Sequence, residues 1–253
     1  MSLKGKNAIV TGGAQGIGRA IALRLAKDGA NIALLDLSQE AGLATAAEIE
    51  RIGVKALAFT CDATDYNQVK SAVEQTHQEW GSIDILINNA GIARSKNFAE
   101  TDPETWDLMI NVNYRSFLIA SHICIPYMIQ QKQGNIVSMG SDAGRVGKSG
   151  EALYCGTKAA IMASSKALAQ ELARYNIRVN AVSPGPVKTD LWDSMHSGEK
   201  GRKFTEAVER VIPLRRLGTP EDVADVVSFF VNEDSRYLTG QVLSIDGGLT
   251  MIG

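Results

Sequence analysis

Short apolar runs alternate along the chain with longer stretches in which apolar residues recur every third or fourth position. Unbroken apolar runs of about four to eight residues read as buried strands, and the longer periodic stretches read as helices with one apolar face. The strand-like runs are NAIVT (7–11), NIALLDL (31–37), KALAFTCD (55–62), IDILINNAG (83–91), GNIVSMG (134–140), IRVNAVSPG (177–185) and QVLSIDGG (241–248). Between the first two, Ile17, Ile21 and Leu25 fall on one face of a helix over 16–27. Helical patterns also cover 39–52, 65–80, 103–131, 152–175 and 219–232. Gly29, Gly53 and Gly81 stand where helix C-termini favour glycine. Asp102-Pro103 and Thr219-Pro220 each give a cap followed by proline, the pattern of a helix start. Strands with no polar alternation need cover on both faces. The pattern therefore predicts an α/β chain: a doubly wound sheet of about seven parallel strands with helices on both faces. Residues 190–212 mix charged, polar and glycine positions and read as a flexible lid. No repeat or Pro-rich linker interrupts the chain, so residues 1–253 read as a single domain.

Composition narrows what such a domain does. Hydrophobic residues make up 45% and charged residues 21%, which suits a soluble protein with a substantial core. The net charge is −2 with basic residues dispersed, so no footprint for nucleic acid is expected. Cys61, Cys124 and Cys155 lie far apart and form no Cys-x-x-Cys pair. Neither a disulfide framework nor a thiolate zinc site is expected, and a reducing cytoplasm fits. His77, His122 and His196 are isolated, which argues against a histidine metal site or triad. No apolar run reaches the ~18 residues of a membrane span. The opening MSLKGKNAIV is too short and polar for a signal peptide.

Candidate chemistry begins at the first strand–helix junction, Thr11-Gly12-Gly13-Ala14-Gln15-Gly16-Ile17-Gly18. Gly12, Gly16 and Gly18 permit a tight turn and close approach of backbone to phosphate. The helix that follows points free N–H groups and its positive dipole end at an anion. The spacing is G-x-x-x-G-x-G and not the commoner G-x-G-x-x-G, but a strand before and a helix after support a phosphate-binding loop in a Rossmann fold. Asp36 ends the second strand, where a carboxylate accepts hydrogen bonds from ribose hydroxyls and repels a 2′-phosphate. Gln15 offers no positive charge to such a phosphate. Charge alone therefore favours NAD over NADP.

Tyr154 and Lys158 stand four apart in the helix expected over 152–175, so they share one face. A cation beside a phenol favours phenolate and lowers its pKa from about 10, and such a Tyr exchanges protons with an alcohol or ketone. Ser141 follows the apolar run Ile136–Met139, where its hydroxyl can hold a substrate oxygen.

Taken together, TGGAQGIG (11–18), Asp62 in CDAT, NNAG (88–91), Asn113 in NVNYRSF, Ser141, Tyr154-x-x-x-Lys158, SPGPVKT (183–189) and GQVLSIDGG resemble the short-chain dehydrogenase/reductase family over almost the whole chain. The resemblance implies a catalytic tetrad. Tyr154 is its acid/base and Ser141 orients the substrate oxygen. Lys158 lowers the Tyr pKa and binds the nicotinamide ribose. Asn113, rather than the nearby Asn111, holds a water of the proton relay. Gly12, Gln15, Gly16, Ile17, Gly18, Asp36, Asp62, Ala63, Asn89, Gly91, Tyr154, Lys158, Pro184, Gly185, Val187 and Thr189 are implied contacts of NAD. In particular, Asp62 meets the adenine, Asn89 and Gly91 line the adenosine side, and Pro184, Gly185 and Val187 bound the nicotinamide. Thr189 lies near the carboxamide or pyrophosphate. A homotetramer built on the helices over 103–131 and 152–175 is also implied. Ile119, Ile123 and Met128 on one helix and Ala159, Met162, Ala167 and Leu168 on the other are its candidate packing residues.

The expected reaction interconverts a secondary alcohol and a ketone. SDAGRVGKSGEALY with GGLTMIG is similar to members acting on hydroxyacyl-CoA thioesters. Arg145, Lys148, Lys200, Arg202 and Lys203 are candidates for a phosphate or carboxylate partner. Alternative readings are a 3-oxoacyl-carrier-protein reductase, a polyol or sugar dehydrogenase and, outside enzymes, an NAD-binding regulatory protein.

Overall fold

The computed structural model describes residues 2–252; Met1 and Gly253, the ends of the expected single domain, lie outside them. The strands are β1 (Asn7–Thr11), β2 (Asn31–Asp36), β3 (Ala56–Thr60), β4 (Ile85–Asn88), β5 (Gly134–Met139), β6 (Ile177–Pro184) and β7 (Val242–Ile245). They form one sheet in the order β3-β2-β1-β4-β5-β6-β7. Every pairing is parallel. The order reverses between β1 and β4, which opens a crevice at their C-terminal ends.

The helices are α1 (Gly16–Lys27), α2 (Gln39–Ile52), α3 (Tyr66–Trp80), α4 (Pro103–Met109), α5 (Ser116–Gln131), α6 (Ala143–Val146), α7 (Ala152–Leu172), α8 (Asp190–Met195), α9 (Gly198–Val211) and α10 (Pro220–Val231). Strand residues alternate between two cores, as a pleat requires. Ala8 and Val10 of β1 pack with Ile21 and Leu25 of α1 and with Val227 and Phe230 of α10. Ile9 of the same strand packs on the other face with Val73 of α3, Ile123 of α5 and Leu172 of α7. Local chemistry sets the helix ends. Asp65 caps α3 by accepting from the Asn67 and Gln68 N–H groups, and Gly81 ends it in the left-handed region.

Two expectations change and a third gains detail. The helix expected over 103–131 is broken by a π turn at Ile110–Arg115. Residues 190–212, read as a lid, gain detail: they carry α8 and α9, and the rings of Trp192, Phe204 and the intervening His196 pack together. Ile119, Ile123, Met128 and Met162 are buried within the chain's own core and are not free for a partner; Leu118 on α5 and Ala167 on α7 are exposed instead. Among the described residues, no helix is long and apolar enough to cross a membrane.

Candidate active site

The crevice is lined first by the loop between β1 and α1. Gly18 packs so closely that a Cβ there falls inside the carbonyl oxygen of Gly12 and 2.5 Å from Asn89 Nδ2. Asn89 clamps this loop, its Nδ2 donating to the carbonyls of Thr11 (3.1 Å) and Gly12 (2.8 Å). Asn89, expected to line the adenosine, thus has its amide committed to the loop. Thr11 completes the joint, its hydroxyl accepting from the Asn89 and Ala90 N–H groups. Gly16 has φ 55° and open space where a side chain would be. Gln15 is the N-cap of α1, with no side-chain cap bond and no acidic residue in the first turn. The first-turn N–H groups at Gly16, Ile17 and Gly18 therefore face the crevice without a side-chain acceptor, an arrangement that fits a phosphate.

Asp36 sits beside the loop at the end of β2. Its Oδ2 accepts from Ala14 N–H (2.9 Å) and its Oδ1 from Ser38 N–H (3.1 Å). The negative charge is thereby fixed in place, and each oxygen keeps further acceptor capacity. After β3, Asp62 Oδ1 accepts from the backbone and hydroxyl of Thr64, and Ala63 lies half-buried between them. Beyond β6, Val187 is buried and pairs with Gly218. Thr189, expected near the cofactor, spends its hydroxyl capping α8 through Trp192 N–H (3.2 Å).

Asn113, Ser141, Tyr154 and Lys158 converge on the other side of Gly91. The π turn carries Asn113 inward, where it is fully buried. Its Oδ1 accepts from Ile92 N–H (2.7 Å), and its Nδ2 donates to Ile92 O (3.0 Å) and Thr157 Oγ1 (3.2 Å). A Cβ on Gly91 would lie 3.2 Å from Asn113 Oδ1 and 3.3 Å from Lys158 Nζ, so all three meet there. Lys158 is buried, donates to Met139 O (2.9 Å) and stands 5.7 Å from the centre of the Tyr154 ring. Burial lowers its pKa to about 8. Ser141 follows β5, its Oγ accepts from Ala143 N–H (3.2 Å), and its side chain acts on the Tyr154 phenol. The close packing of Gly144 onto α7, where a Cβ would lie 2.8 Å from Ala159 N, holds the Ser141 turn against that helix.

The Tyr154 phenol departs from expectation. Burial pushes it up to about 12, outweighing the lowering effect of the Ser141 side chain. The Lys158 ammonium is directed at a carbonyl and does not reverse this. The candidate CoA-binding cations are also largely engaged. Arg145 donates to the carbonyls of Val242 and Ile252 and to Ser244 Oγ. Lys148 pairs with Glu151, Lys203 with Glu199 and Arg202 with Glu206.

A family model described as enoyl-(acyl carrier protein) reductase matches residues 12–250. A 3-oxoacyl-[acyl-carrier-protein] reductase of Thermotoga maritima is 41% identical over 251 residues, 99% of this chain and 100% of that protein. The chain belongs to the short-chain dehydrogenase/reductase family. As a member of this family it is an oxidoreductase that uses a nicotinamide cofactor. Among solved short-chain dehydrogenases/reductases, an NAD+-bound xylitol dehydrogenase superposes with a TM-score of 0.94 at 32% identity, over 98% of this chain and 100% of that one. A levodione reductase gives 0.93 at 31% identity, over 97% and 98%.

Thr11, Thr157, Asp142 and Asp246 also belong to the site's framework. The first two lie inside motifs already singled out, and their importance comes from partners distant in the chain. Asp142 directly follows Ser141, which was a signal in itself.

Proposed function

We propose that the protein is an NAD-dependent dehydrogenase interconverting a secondary alcohol and a ketone. The observation that carries this reading is the convergence of Asn113, Ser141, Tyr154 and Lys158 beyond a glycine loop guarded by Asp36. The nicotinamide ring supplies the hydride acceptor or donor, at its C4 carbon. The uncapped first turn of α1 holds the pyrophosphate, and Asp36 accepts from the ribose hydroxyls. Pro184, Gly185 and Val187 bound the ring. During oxidation, Tyr154 removes the alcohol proton while the Ser141 hydroxyl donates to the same oxygen. Lys158 would hold the nicotinamide ribose, and its charge beside the Tyr154 ring favours the phenolate.

Asp36 gives the reading its cofactor test. A carboxylate fixed beside the glycine loop repels a 2′-phosphate. NAD is expected to bind at least about tenfold more tightly than NADP, a difference of ~1.4 kcal/mol. Titration calorimetry of the two cofactors checks this. Equal affinities contradict the Asp36 assignment.

A second reading, reduction of a 3-oxoacyl thioester, is favoured by the 41% identical relative. The pairing of Lys148, Arg202 and Lys203 with carboxylates, and of Arg145 with backbone carbonyls, weakens the case for a CoA phosphate site. A homotetramer packed through α5 and α7 belongs to the same proposal, with exposed Leu118 and Ala167 on its surface.

A further inference from the structure

Behind Ser141 lies a carboxyl pair that the proposed chemistry does not use. Asp142 has only 4% of its surface exposed. Its Oδ1 accepts from the hydroxyls of Ser183 and Ser244, each at 2.8 Å. Its Oδ2 is buried with no donor in reach. Asp246 stands opposite, just beyond β7. Its Oδ1 accepts from Gly248 N–H (2.9 Å), and its Oδ2 from the Thr250 N–H (2.7 Å) and hydroxyl (2.8 Å). The two side chains both reach the space beside Gly185 and act on each other there. A Cβ there would lie 2.8 Å from Asp246 Cβ and 3.4 Å from Asp142 Oδ2.

Two carboxylates in contact do not both stay ionised, and a hydrogen bond between them needs a proton. The donors decide where it sits. Asp246 is surrounded by three donors that favour its charged form, whereas Asp142 carries the orphan oxygen. A proton on Asp142 Oδ2 turns that orphan acceptor into a donor to Asp246. Burial pushes the Asp142 carboxyl above the ordinary range. Burial also acts on Asp246, but the Thr250 and Gly248 hydrogen bonds hold its carboxyl below that range.

We propose that Asp142 and Asp246 share one proton, carried by Asp142, and form a positioning pair that locks the Ser141 turn to the Pro184–Gly185 turn and the C-terminal segment. The backbone runs through the same point. Asp142 N–H donates to Pro184 O (3.1 Å), and Gly185 N–H donates to Ile245 O (3.0 Å). The pair thus ties together the ends of β5, β6 and β7, which bound the substrate oxygen and the nicotinamide. This rests on the placement of Ser141 and Gly185 proposed above. The titratable and charged groups on the surrounding elements are Arg145 on α6, which donates to Ser244 Oγ (3.0 Å), Lys158 on α7, turned to Met139 O, and Tyr154, beside Ser141. Arg178 lies at the opposite end of β6, held by Asn232, Ser235 and Leu238.

The sign of the pH dependence follows. A carboxyl whose folded pKa is raised contributes stability below its unfolded value, about 4, and loses it as pH rises through the folded value. Asp142→Asn mimics the protonated form: its oxygen accepts from the two serines and its amide donates to Asp246. Asp246→Asn has no such match, because its amide meets the donors of Thr250 or Gly248. The test is the Tm of the cofactor-free wild type and both variants across pH 4–9, with the KM for NAD of Asp142→Asn and Asp142→Ala. Asp142→Asn is expected to gain Tm relative to wild type as pH rises, whereas Asp246→Asn loses Tm throughout. Asp142→Ala is expected to raise the KM for NAD roughly tenfold, the loss of one buried hydrogen-bonded partner, and Asn to recover most of it. A pH-independent difference, or better tolerance of Asp246→Asn, overturns the proton assignment. An unchanged KM in Asp142→Ala overturns the positioning role. Should a variant fail to fold, the protonated-carboxyl infrared band of wild type followed from pH 4 to 9 decides: a band that outlasts the titration of ordinary carboxyls supports the shared proton, and its loss together with them overturns it. The Tm and infrared readings need neither cofactor nor substrate, so they stand apart from any failure of the dehydrogenase reading.

Discussion

Replacing Tyr154 with Phe is expected to abolish turnover while leaving NAD affinity within a few-fold of wild type. In the proposed reaction the phenol exchanges a proton with a substrate oxygen held by Ser141. General acid–base catalysis contributes roughly a hundred- to ten-thousand-fold, and the loss is expected at the upper end of that range. The reason lies in the environment of Tyr154. Burial pushes its pKa up to about 12 without cofactor, so the phenolate forms only when other charges arrive. The positive ring of the oxidised cofactor is such a charge, and Lys158 is another once it leaves Met139. Because oxidation needs the phenolate, alcohol oxidation by wild type is expected to speed up as pH rises. Steady-state kinetics, together with cofactor titration, separate the two effects. Binding lost in parallel with turnover means that the ring packs the cofactor and that the acid/base assignment fails.

Replacing Gly18 with Ala is expected to remove cofactor binding at its source. The added methyl collides with the Gly12 carbonyl and the Asn89 amide, and neither is the loose end of a flexible side chain. Relief requires the loop to move away from α1, which separates the phosphate-facing N–H groups from the Asn89 clamp. Overpacking of this kind costs about 1–3 kcal/mol in stability. The effect on NAD affinity is expected to exceed a hundredfold, ~2.7 kcal/mol, because the whole loop shifts. Gly16→Ala is the control for added bulk, since open space lies beyond that position; its φ of 55° adds strain without the collision. Calorimetry and thermal melts of both variants check the pair. Equal binding by Gly18→Ala and wild type contradicts the glycine-loop placement of the pyrophosphate.

Most of the architecture was legible because it follows from short-range rules. Unbroken apolar strands, Gly81 at the end of α3 and Thr219 before Pro220 all acted as the sequence pattern implies. The π turn at Ile110–Arg115 left no such mark. Its extra residue per turn is stabilised by the Asn113 amide reaching Ile92 and Thr157, contacts set by tertiary packing alone. The helices over 190–211 were less legible, because the stretch is largely polar. Glu199–Lys203 and Arg202–Glu206, each four apart, were the overlooked signs of a solvated helix face. The direction of the Tyr154 shift was misjudged for a different reason. Spacing puts Lys158 beside the phenol, but burial and the Met139 carbonyl, neither visible in spacing, decide what its charge does.

The central claim is the proposal that this chain interconverts secondary alcohols and ketones with NAD through Tyr154. Its most direct measurement is the formation of reduced nicotinamide by wild type offered NAD and a panel of secondary alcohols, polyols and hydroxyacyl thioesters, with Tyr154→Phe alongside. The account predicts NAD-linked turnover of at least one panel member by wild type and its loss in the variant. Turnover that survives in Tyr154→Phe, or that appears only with NADP, would contradict it.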